Sequence, residues 1–176
     1  VTLVEGDCLA KGRRLSPEAV SALEGAEFKL VANLPYQAAS PLMASLLMHH
    51  PECSGQWVTI QKEVVDRLVA NPGTKAWGPL TAIVRAFASA RRIALLPPGC
   101  FWPAPKVTSA MAELVPCASD SRPSDPDGFA RFVTKLLSQR RKQIGGILGH
   151  DITTSLGIEA QTRAETLDAG QLLELR

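Results

Sequence analysis

Short apolar runs separated by turn-forming residues occupy most of the chain, and their spacing predicts its first elements. The run Phe28–Ala32 predicts a β-strand that leads directly into the segment Asn33–Tyr36. Ser40 followed by Pro41 is typical of a helix N-cap with proline at the first helical position. We therefore expect the apolar segment Leu42–His49 to form the body of that helix.

The same kind of pattern continues along the rest of the chain. We expect strands at four short β-type runs, namely Val1–Val4, Trp57–Ile60, Arg91–Leu96 and Lys106–Val115. We expect an amphipathic helix over Lys62–Ala70, a long helix over Phe129–Leu148 and a short helix from about Asp168. The alanine-rich segment Leu80–Ala88 fits either a strand or a helix.

The order of these elements predicts the fold class. Strands that alternate with helices and then follow one another closely indicate an α/β sheet that ends in an antiparallel hairpin. Residues 117–127 are rich in Pro, Ser and Asp, which is typical of a linker. We therefore predict a sheet domain over residues 1–116 and a small α-helical domain over residues 128–176.

Composition restricts the class of protein further. The 176 residues are 45% hydrophobic and 20% charged, so the chain can bury a core. No apolar run reaches the ~18 residues that span a bilayer, and the N-terminus lacks a basic and apolar leader, so we expect a cytoplasmic protein without membrane contact. The four cysteines lie far apart, without a CxxC pair or a histidine at ligand spacing, so we expect no metal site.

Charge is distributed unevenly although the net charge is only +2. Two stretches of the chain, Arg67–Ala112 and Gly128–His150, contain basic residues and no acid. A solvated surface usually mixes both signs, so these stretches indicate a polyanionic partner such as a nucleic acid. Helices that carry one-sided charge for solubility would produce the same pattern.

The tetrapeptide Asn33-Leu34-Pro35-Tyr36 follows an apolar strand, where open α/β sheets bind their ligands. The amino nitrogen of adenine is a poor nucleophile because its lone pair is delocalised into the ring. The Asn33 amide oxygen and the Leu34 carbonyl could accept the two amino hydrogens and so direct the lone pair towards a methyl donor. Pro35 stiffens the turn, and Tyr36 offers a flat face for a base. A strand-to-helix turn without a chemical role suits the same four residues.

Six blocks of residues occur in a fixed order along the chain. They are Gly6-Asp7 with Leu9, Leu30–Tyr36 with Ser40–Leu42, Gln61–Val64 with Arg67–Ala70 and Pro72-Gly73, Phe101 with Pro103, Pro105–Val107 and Ser109-Ala110, Ser138–Lys142, and Gly157-Ile158 with Arg163–Glu165. In this order they resemble the bacterial KsgA (RsmA) family of 16S rRNA adenine dimethyltransferases, and the resemblance covers essentially the whole chain. It implies a Rossmann-like methyltransferase domain followed by a small helical domain.

The resemblance also implies roles for individual residues. Phe101 would close on a flipped adenine opposite Tyr36, and a loop stiffened by prolines presents its ring at low entropic cost. By itself, Phe101 or the adjacent Trp102 could equally cover the sheet. Asp7 would contact the adenine of S-adenosylmethionine, although a lone aspartate is more often a turn residue. Asn33 would also bind the cofactor.

RNA contacts are implied for a further set of basic residues. These are Lys106, in the proline-rich loop, and Arg140, Arg141 and Lys142, in the basic helix that opens the second domain. Such cations would position RNA through its phosphates without reading its sequence. In most proteins the last three would form a solvated helix face.

The chain departs from the family pattern in two respects. The family's glycine-rich cofactor loop is not found among the 176 residues, so we expect them alone to be inactive and not to bind S-adenosylmethionine detectably. Gly145-Gly146 replaces polar or basic residues, and each glycine costs a helix interior ~1 kcal/mol relative to alanine, so the basic helix should fray or end early.

The sequence therefore predicts a monomeric enzyme that uses S-adenosylmethionine to dimethylate N6 of adjacent adenines in 16S rRNA of the immature small ribosomal subunit. A 23S rRNA adenine methyltransferase of the macrolide-resistance type is the nearest alternative, because it shares the pocket motif. The blocks Ser138–Lys142 and Gly157-Ile158 favour the small-subunit family. A non-catalytic RNA-binding assembly factor is the alternative from another class, and the presence of Asn33 and Tyr36 argues against it.

Overall fold

The computed structural model describes residues 3–11 and 14–176. The strands in this part of the chain are β1 (Phe28–Asn33), β2 (Cys53–Gln61), β3 (Ala88–Leu96) and β4 (Ser109–Pro116). The helices are α1 (Pro17–Leu23), α2 (Tyr36–His49), α3 (Lys62–Leu68), α4 (Pro79–Phe87), α5 (Pro126–Ser138), α6 (Gly145–Leu148), α7 (His150–Ser155) and α8 (Ala169–Glu174). Three short 3₁₀ turns, Pro98–Cys100, Ser119–Ser121 and Ala164–Thr166, lie in the connections. The predicted α/β class and its closing antiparallel hairpin are confirmed.

The four strands form one sheet in the order β1-β2-β4-β3. β1 and β2 are parallel, whereas β4 lies antiparallel to both of its neighbours. As a result, Asn33 and Thr59 pair near the carboxyl ends of the parallel strands, and Ser109, the first residue of β4, pairs with both Gln61 and Leu96. The loop between β3 and β4 therefore begins and ends at the same end of the sheet as the carboxyl end of β1.

The described chain divides into two compact units. The first unit comprises the residues up to Asp66 together with Ala88–Cys117, and it contains the whole sheet. The second comprises Arg67–Phe87 and Ala118–Arg176. The chain passes between the units after Asp66, after Phe87 and after Cys117. Within the second unit, α4 packs against α5 and α8.

The helix α2 begins at Tyr36, so the prediction of an N-cap at Ser40 and a first helical residue at Pro41 is wrong. Pro35 occupies the N-cap position, with φ −59° and ψ 136°, and its carbonyl accepts two backbone N–H groups of the first turn at 3.1 and 3.0 Å. Pro41 lies inside the helix, where it removes one backbone hydrogen bond. Apolar side chains such as Met43 are fully buried and offset this loss.

The core of the first unit lies between α2 and the sheet. Gln56 of β2 is fully buried, and its Nε2 donates to the Met43 carbonyl of α2 at 3.1 Å. Val58 and Ile60 alternate with half-buried residues along β2, so one face of this strand is apolar. The helix that follows the tetrapeptide is therefore fixed to the strand beside it.

The core of the second unit is helical and aromatic. The segment Leu80–Ala88 lies mostly in the helix α4, which resolves the ambiguity of its sequence. Phe87 of α4 meets Phe129 of α5 edge to face, with ring centroids 6.4 Å apart and an interplanar angle of 72°. α8 begins after Asp168 with a capping box to Gln171, so the predicted final helix is confirmed.

The long helix predicted over Phe129–Leu148 is wrong in its second half. α5 ends at Ser138, and the chain then turns and runs antiparallel to a later segment. The Gly145 N–H donates to the Ala160 carbonyl at 2.9 Å, and the Ala164 N–H donates to the Lys142 carbonyl at 3.3 Å. Backbone pairing with residues 160–165 therefore replaces the helical hydrogen bonds that a continuous helix would have made.

The strand predicted at the start of the chain is also not observed. Val1 and Thr2 lie outside the described residues, and Leu3 and Val4 belong to no strand. Within residues 3–11 and 14–176, every helix is too short or too polar to cross a membrane.

Candidate functional site: a neutral aromatic cavity

In the turn after β1, Asn33 and Tyr36 are exposed, and Leu34 between them is buried. The Leu34 side chain is 8% exposed, and its backbone N–H donates to the Thr59 carbonyl at 3.1 Å. This bond extends the parallel pairing of β1 and β2 by one residue beyond Asn33. Because Leu34 points into the core, the exposed Asn33 and Tyr36 are held on a fixed backbone.

The loop 97–108 carries the second aromatic residue. The Phe101 N–H donates to the Pro98 carbonyl at 3.2 Å, and Phe101 is extended, with φ −128° and ψ 151°. The far end of the loop is tied to the start of α3, because the Lys62 N–H donates to the Thr108 carbonyl at 3.0 Å. Prolines restrict the backbone between these two ties.

The turn and the loop enclose one cavity of about 430 Å³. Its lining is composed of neutral side chains, which are Asn33, Leu34, Pro35, Tyr36, Phe101, Trp102, Pro103, Pro105 and Ser109. This volume lies within the ~300–1,000 Å³ of small-molecule sites, and the cavity lies at the carboxyl ends of the parallel strands, where open α/β sheets bind ligands. The five residues expected to form the catalytic pocket are thus brought together.

Two further predicted residues of the first unit lie outside the lining of this cavity. Asp7 is exposed, and its Oδ1 accepts the Leu9 N–H at 2.9 Å. Lys106 is an exposed residue of the loop, next to the lining residue Pro105. Two residues are predicted by the sequence to bind S-adenosylmethionine. The exposed Asp7 carboxylate can accept a hydrogen bond from the adenine amine of that cofactor, and the exposed Asn33 amide lines the cavity.

The three basic residues after α5 differ from one another. The Arg140 guanidinium donates to Glu165 Oε2 at 2.7 Å and to the carbonyls of Thr74, Lys75 and Trp77 at 3.0, 3.3 and 3.0 Å. The prediction that Arg140 lies in a basic helix is wrong, because α5 ends at Ser138. Its guanidinium instead bonds groups of the second unit.

Arg141 and Lys142 follow in the same turn, also outside a helix, and both are exposed. Backbone bonds hold this turn on both sides: the Glu165 N–H donates to the Arg140 carbonyl at 3.0 Å, and the Lys142 N–H donates to the Gln139 carbonyl at 2.8 Å. The two cations are therefore presented to solvent from a fixed backbone.

An ion pair lies across the sheet of the first unit. Glu113 of β4 stands opposite Arg91 of β3 and Trp57 of β2, and it bonds both side chains, the Trp57 indole at 3.0 Å. The hydrogen bond from the Arg91 guanidinium, followed by that from Trp57, holds the pKa of the Glu113 carboxyl below its usual range. The positive charge of Arg91 is thus paired with the Glu113 carboxylate.

Sequence reasoning left two lining residues without a role. Ser109 is 3% exposed at the first position of β4, and Trp102 is 98% exposed beside Phe101. The alternation along β4 points to a buried Ser109, whereas the exposure of Trp102 depends on how the loop folds back.

Comparison with solved structures shows the fold. A dimethyladenosine transferase from Plasmodium falciparum aligns with a TM-score of 0.75 and 24% identity, over 84% of this chain and 64% of that one. The 23S rRNA methyltransferase ErmE aligns with a TM-score of 0.63 and 17% identity, over 85% of this chain and 64% of that one. The fold is that of a Rossmann-like methyltransferase.

Sequence comparison defines the family. The model of the family described as Ribosomal RNA adenine dimethylase matches residues 2–176, and the chain belongs to that family. Two curated relatives, both named Ribosomal RNA small subunit methyltransferase A, come from Acidithiobacillus ferrooxidans, with 39% identity over 162 residues, and from Erwinia tasmaniensis, with 35% identity over 157 residues. The matches cover 88% and 86% of this chain and 61% and 58% of those proteins, so the chain spans about 60% of their length. The family resemblance drawn from the six sequence blocks is confirmed.

Proposed function

We propose that the protein transfers methyl groups from S-adenosylmethionine to N6 of adjacent adenines in 16S rRNA during assembly of the small ribosomal subunit. The observation that carries this proposal is the single cavity shared by Asn33, Tyr36 and Phe101. The names of the curated relatives support the choice of small-subunit RNA over 23S rRNA.

Asn33 and the Leu34 carbonyl orient the amino nitrogen. Each accepts one of the two amino hydrogens, which draws the nitrogen lone pair out of conjugation with the ring. The anchored Leu34 makes this arrangement preorganised, because the acceptors need not move when the base arrives. Hydrogen bonds to the amine also distinguish adenine from a base that has a carbonyl at the same position.

Tyr36 and Phe101 hold the ring. A base that leaves an RNA stack loses its neighbours, and aromatic side chains restore part of that stabilisation. Tyr36 is 43% exposed and Phe101 is half-buried, so both rings retain surface that a base can cover. Each such stack is worth about 1–3 kcal/mol.

S-adenosylmethionine, when bound, supplies an electrophilic methyl group. Asp7 would accept a hydrogen bond from the amine of its adenine, and Asn33 would hold the reacting nitrogen. The reaction requires no covalent intermediate with the chain. It also requires no strong general base, because the alkylated ammonium loses its proton readily to water.

The side chains of Lys106, Arg141 and Lys142 contact phosphates of the RNA. All three are exposed, and Lys106 is carried by the same loop as Phe101. Arg140 fixes the backbone next to Arg141, and four of its N–H groups are already engaged.

The test is Asn33→Ala in the full-length protein, assayed by methyl incorporation into under-methylated small subunits. We expect a loss of about 100-fold or more in kcat, the scale seen when one preorganised hydrogen-bonding group is removed. Asn33 is exposed, so the melting temperature should remain that of the unmodified protein.

Asn71→Ala is the matched control, because it removes an exposed amide of the second unit. Unchanged dimethylation by the Asn33 variant would refute the proposed role of the amide. Incorporation into large-subunit RNA instead of small-subunit RNA would refute the proposed substrate.

A further inference from the structure

Trp102 is the most exposed of the apolar side chains at the cavity. Its side chain is 98% exposed, whereas Trp77 is 2% exposed and Trp57 is half-buried with its indole bonded to Glu113. Full burial of a large apolar side chain contributes about 1.5–3 kcal/mol to the free energy of folding. Among the described residues, nothing buries Trp102, so this contribution is absent. Trp102 lies at the rim of the cavity that receives the base.

The backbone on both sides of Trp102 is restricted. Phe101 is fixed by its bond to Pro98, and Pro103 and Pro105 follow within three residues. Proline lowers the number of backbone conformations that the loop can adopt. Two neighbouring aromatic side chains are thus presented together, one half-buried in the cavity and one in solvent.

The surroundings of Trp102 suit a nucleobase. The cavity lining is neutral, and the nearest charged residue of the loop is the cation Lys106. The whole stretch Arg67–Ala112 contains no acid. A flat apolar ring next to a cation is the arrangement with which proteins bind single-stranded RNA, by stacking bases and holding the phosphates.

We propose that Trp102 stacks on the nucleotide next to the target adenine, so that the loop holds two consecutive bases, one in the cavity and one on its rim. This proposal rests on the proposed function and adds a second base to its substrate. Flipping one base out of a stack exposes the face of its neighbour, and Trp102 covers that face. Trp102 therefore acts in substrate positioning, whereas the Asn33 amide and the Leu34 carbonyl act on the amine.

The experiment places 2-aminopurine in the RNA, either at the target position or at its neighbour, and measures fluorescence on binding to the full-length protein. Trp102→Ala and Trp102→Leu remove the ring, whereas Trp102→Phe keeps one. We expect quenching of the neighbouring probe with the unmodified protein and with the Phe variant, and loss of that quenching with Ala and Leu. Kd for RNA should rise roughly 5- to 150-fold for Ala, the range of one base stack.

Kinetics separate this role from one in the chemical step. Trp102→Ala should raise KM and leave kcat nearly unchanged, because the lost contact is present before and during methyl transfer. The probe at the target position should respond as before, since its signal depends on Tyr36 and Phe101.

Two results would overturn the proposal. If Trp102→Leu binds RNA and quenches the neighbouring probe like the unmodified protein, the contact is not a stack. If Trp102→Ala lowers the melting temperature without RNA by several degrees, the ring packs against another part of the protein. Failure of the proposed function would look different, because the unmodified protein would then neither methylate the RNA nor change the probe at the target position.

Discussion

Arg140 joins three backbone segments of the second unit through one guanidinium group. It bonds the carbonyls of the loop 74–77 and the carboxylate of Glu165, and its own carbonyl accepts the Glu165 N–H. The planar fork of arginine suits this task, since it directs five N–H groups in fixed directions. Trp77, whose carbonyl is one of the acceptors, is thereby held in the core.

Replacement of Arg140 should therefore affect stability. We expect Arg140→Ala to lower the free energy of unfolding by about 2–4 kcal/mol, because several charge-assisted hydrogen bonds are lost at a partly exposed site. Arg140→Lys should recover little, because an ammonium group cannot reproduce the fork. Denaturant unfolding measures both.

Arg141→Ala is the matched control, since Arg141 is the exposed neighbour of Arg140. Its unfolding free energy should stay within about 0.5 kcal/mol of the unmodified protein. Equal stability of the Arg140 and Arg141 variants would show that the observed bonds contribute nothing measurable.

At the start of the short α6, one glycine permits a close contact with a distant segment of the chain. A Cβ on Gly145 would lie 2.7 Å from the Ala160 Cβ and 3.0 Å from the Ala160 carbonyl oxygen. The same addition at Gly146 meets nothing within 4 Å. Gly145 is thus required for the close approach of two chain segments, and Gly146 is not.

Alanine substitution distinguishes the two glycines. We expect Gly145→Ala to destabilise the protein by about 1–3 kcal/mol through overpacking. Gly146→Ala should be neutral or stabilise the protein by up to about 1 kcal/mol, because alanine is the better helix former. Thermal or denaturant unfolding of the two variants provides the comparison.

Ala160→Gly in the Gly145→Ala background removes the closest atom, and part of the lost stability should return. Equal destabilisation by both alanine substitutions would contradict the packing argument and favour an effect of helix propensity alone.

On the scale of the whole molecule, ion pairs reduce the number of cations that remain available to a polyanion. Three cations from the two acid-free stretches are paired with acids from elsewhere in the chain. The pairs are Arg91 with Glu113, Arg92 with Asp66 at 3.0 Å and Arg140 with Glu165 at 2.7 Å. The cations that remain for a polyanion are therefore fewer than the sequence suggests, and Arg141 and Lys142 are the exposed ones beside the Arg140 anchor.

The salt dependence of RNA binding tests this distribution. For the full-length protein, Arg141→Ala and Lys142→Ala should each reduce the slope of log K against log salt concentration by about 0.7, the value for one phosphate contact on single-stranded RNA. Arg91→Ala should leave the slope unchanged, because Arg91 already pairs with Glu113. A slope that responds to Arg91 as strongly as to Arg141 would mean that the ion pair opens on binding.

Much of the fold followed from local sequence alone. β1, the body of α2, α3 and the capping box of α8 were predictable because short apolar runs and capping residues act over a few neighbouring positions. The grouping of Asn33–Tyr36 with Phe101 was predictable in part, because the carboxyl ends of parallel strands and the loop before β4 meet at one end of the sheet.

Tertiary contacts decided the rest. α5 ends at Ser138 because residues 160–165, distant in sequence, offer the backbone better hydrogen bonds than a continued helix. α2 includes Pro41 because burial of its apolar face outweighs one lost bond. The direction of the Arg140 side chain depends on its bonds to Glu165 and the loop 74–77, and the exposure of Trp102 depends on how the loop 97–108 folds. The sequence by itself thus determined the family, most of the element types and the residue types that line the cavity, which depend on local pattern and composition. Partners, exposure and element ends depend on contacts between distant residues.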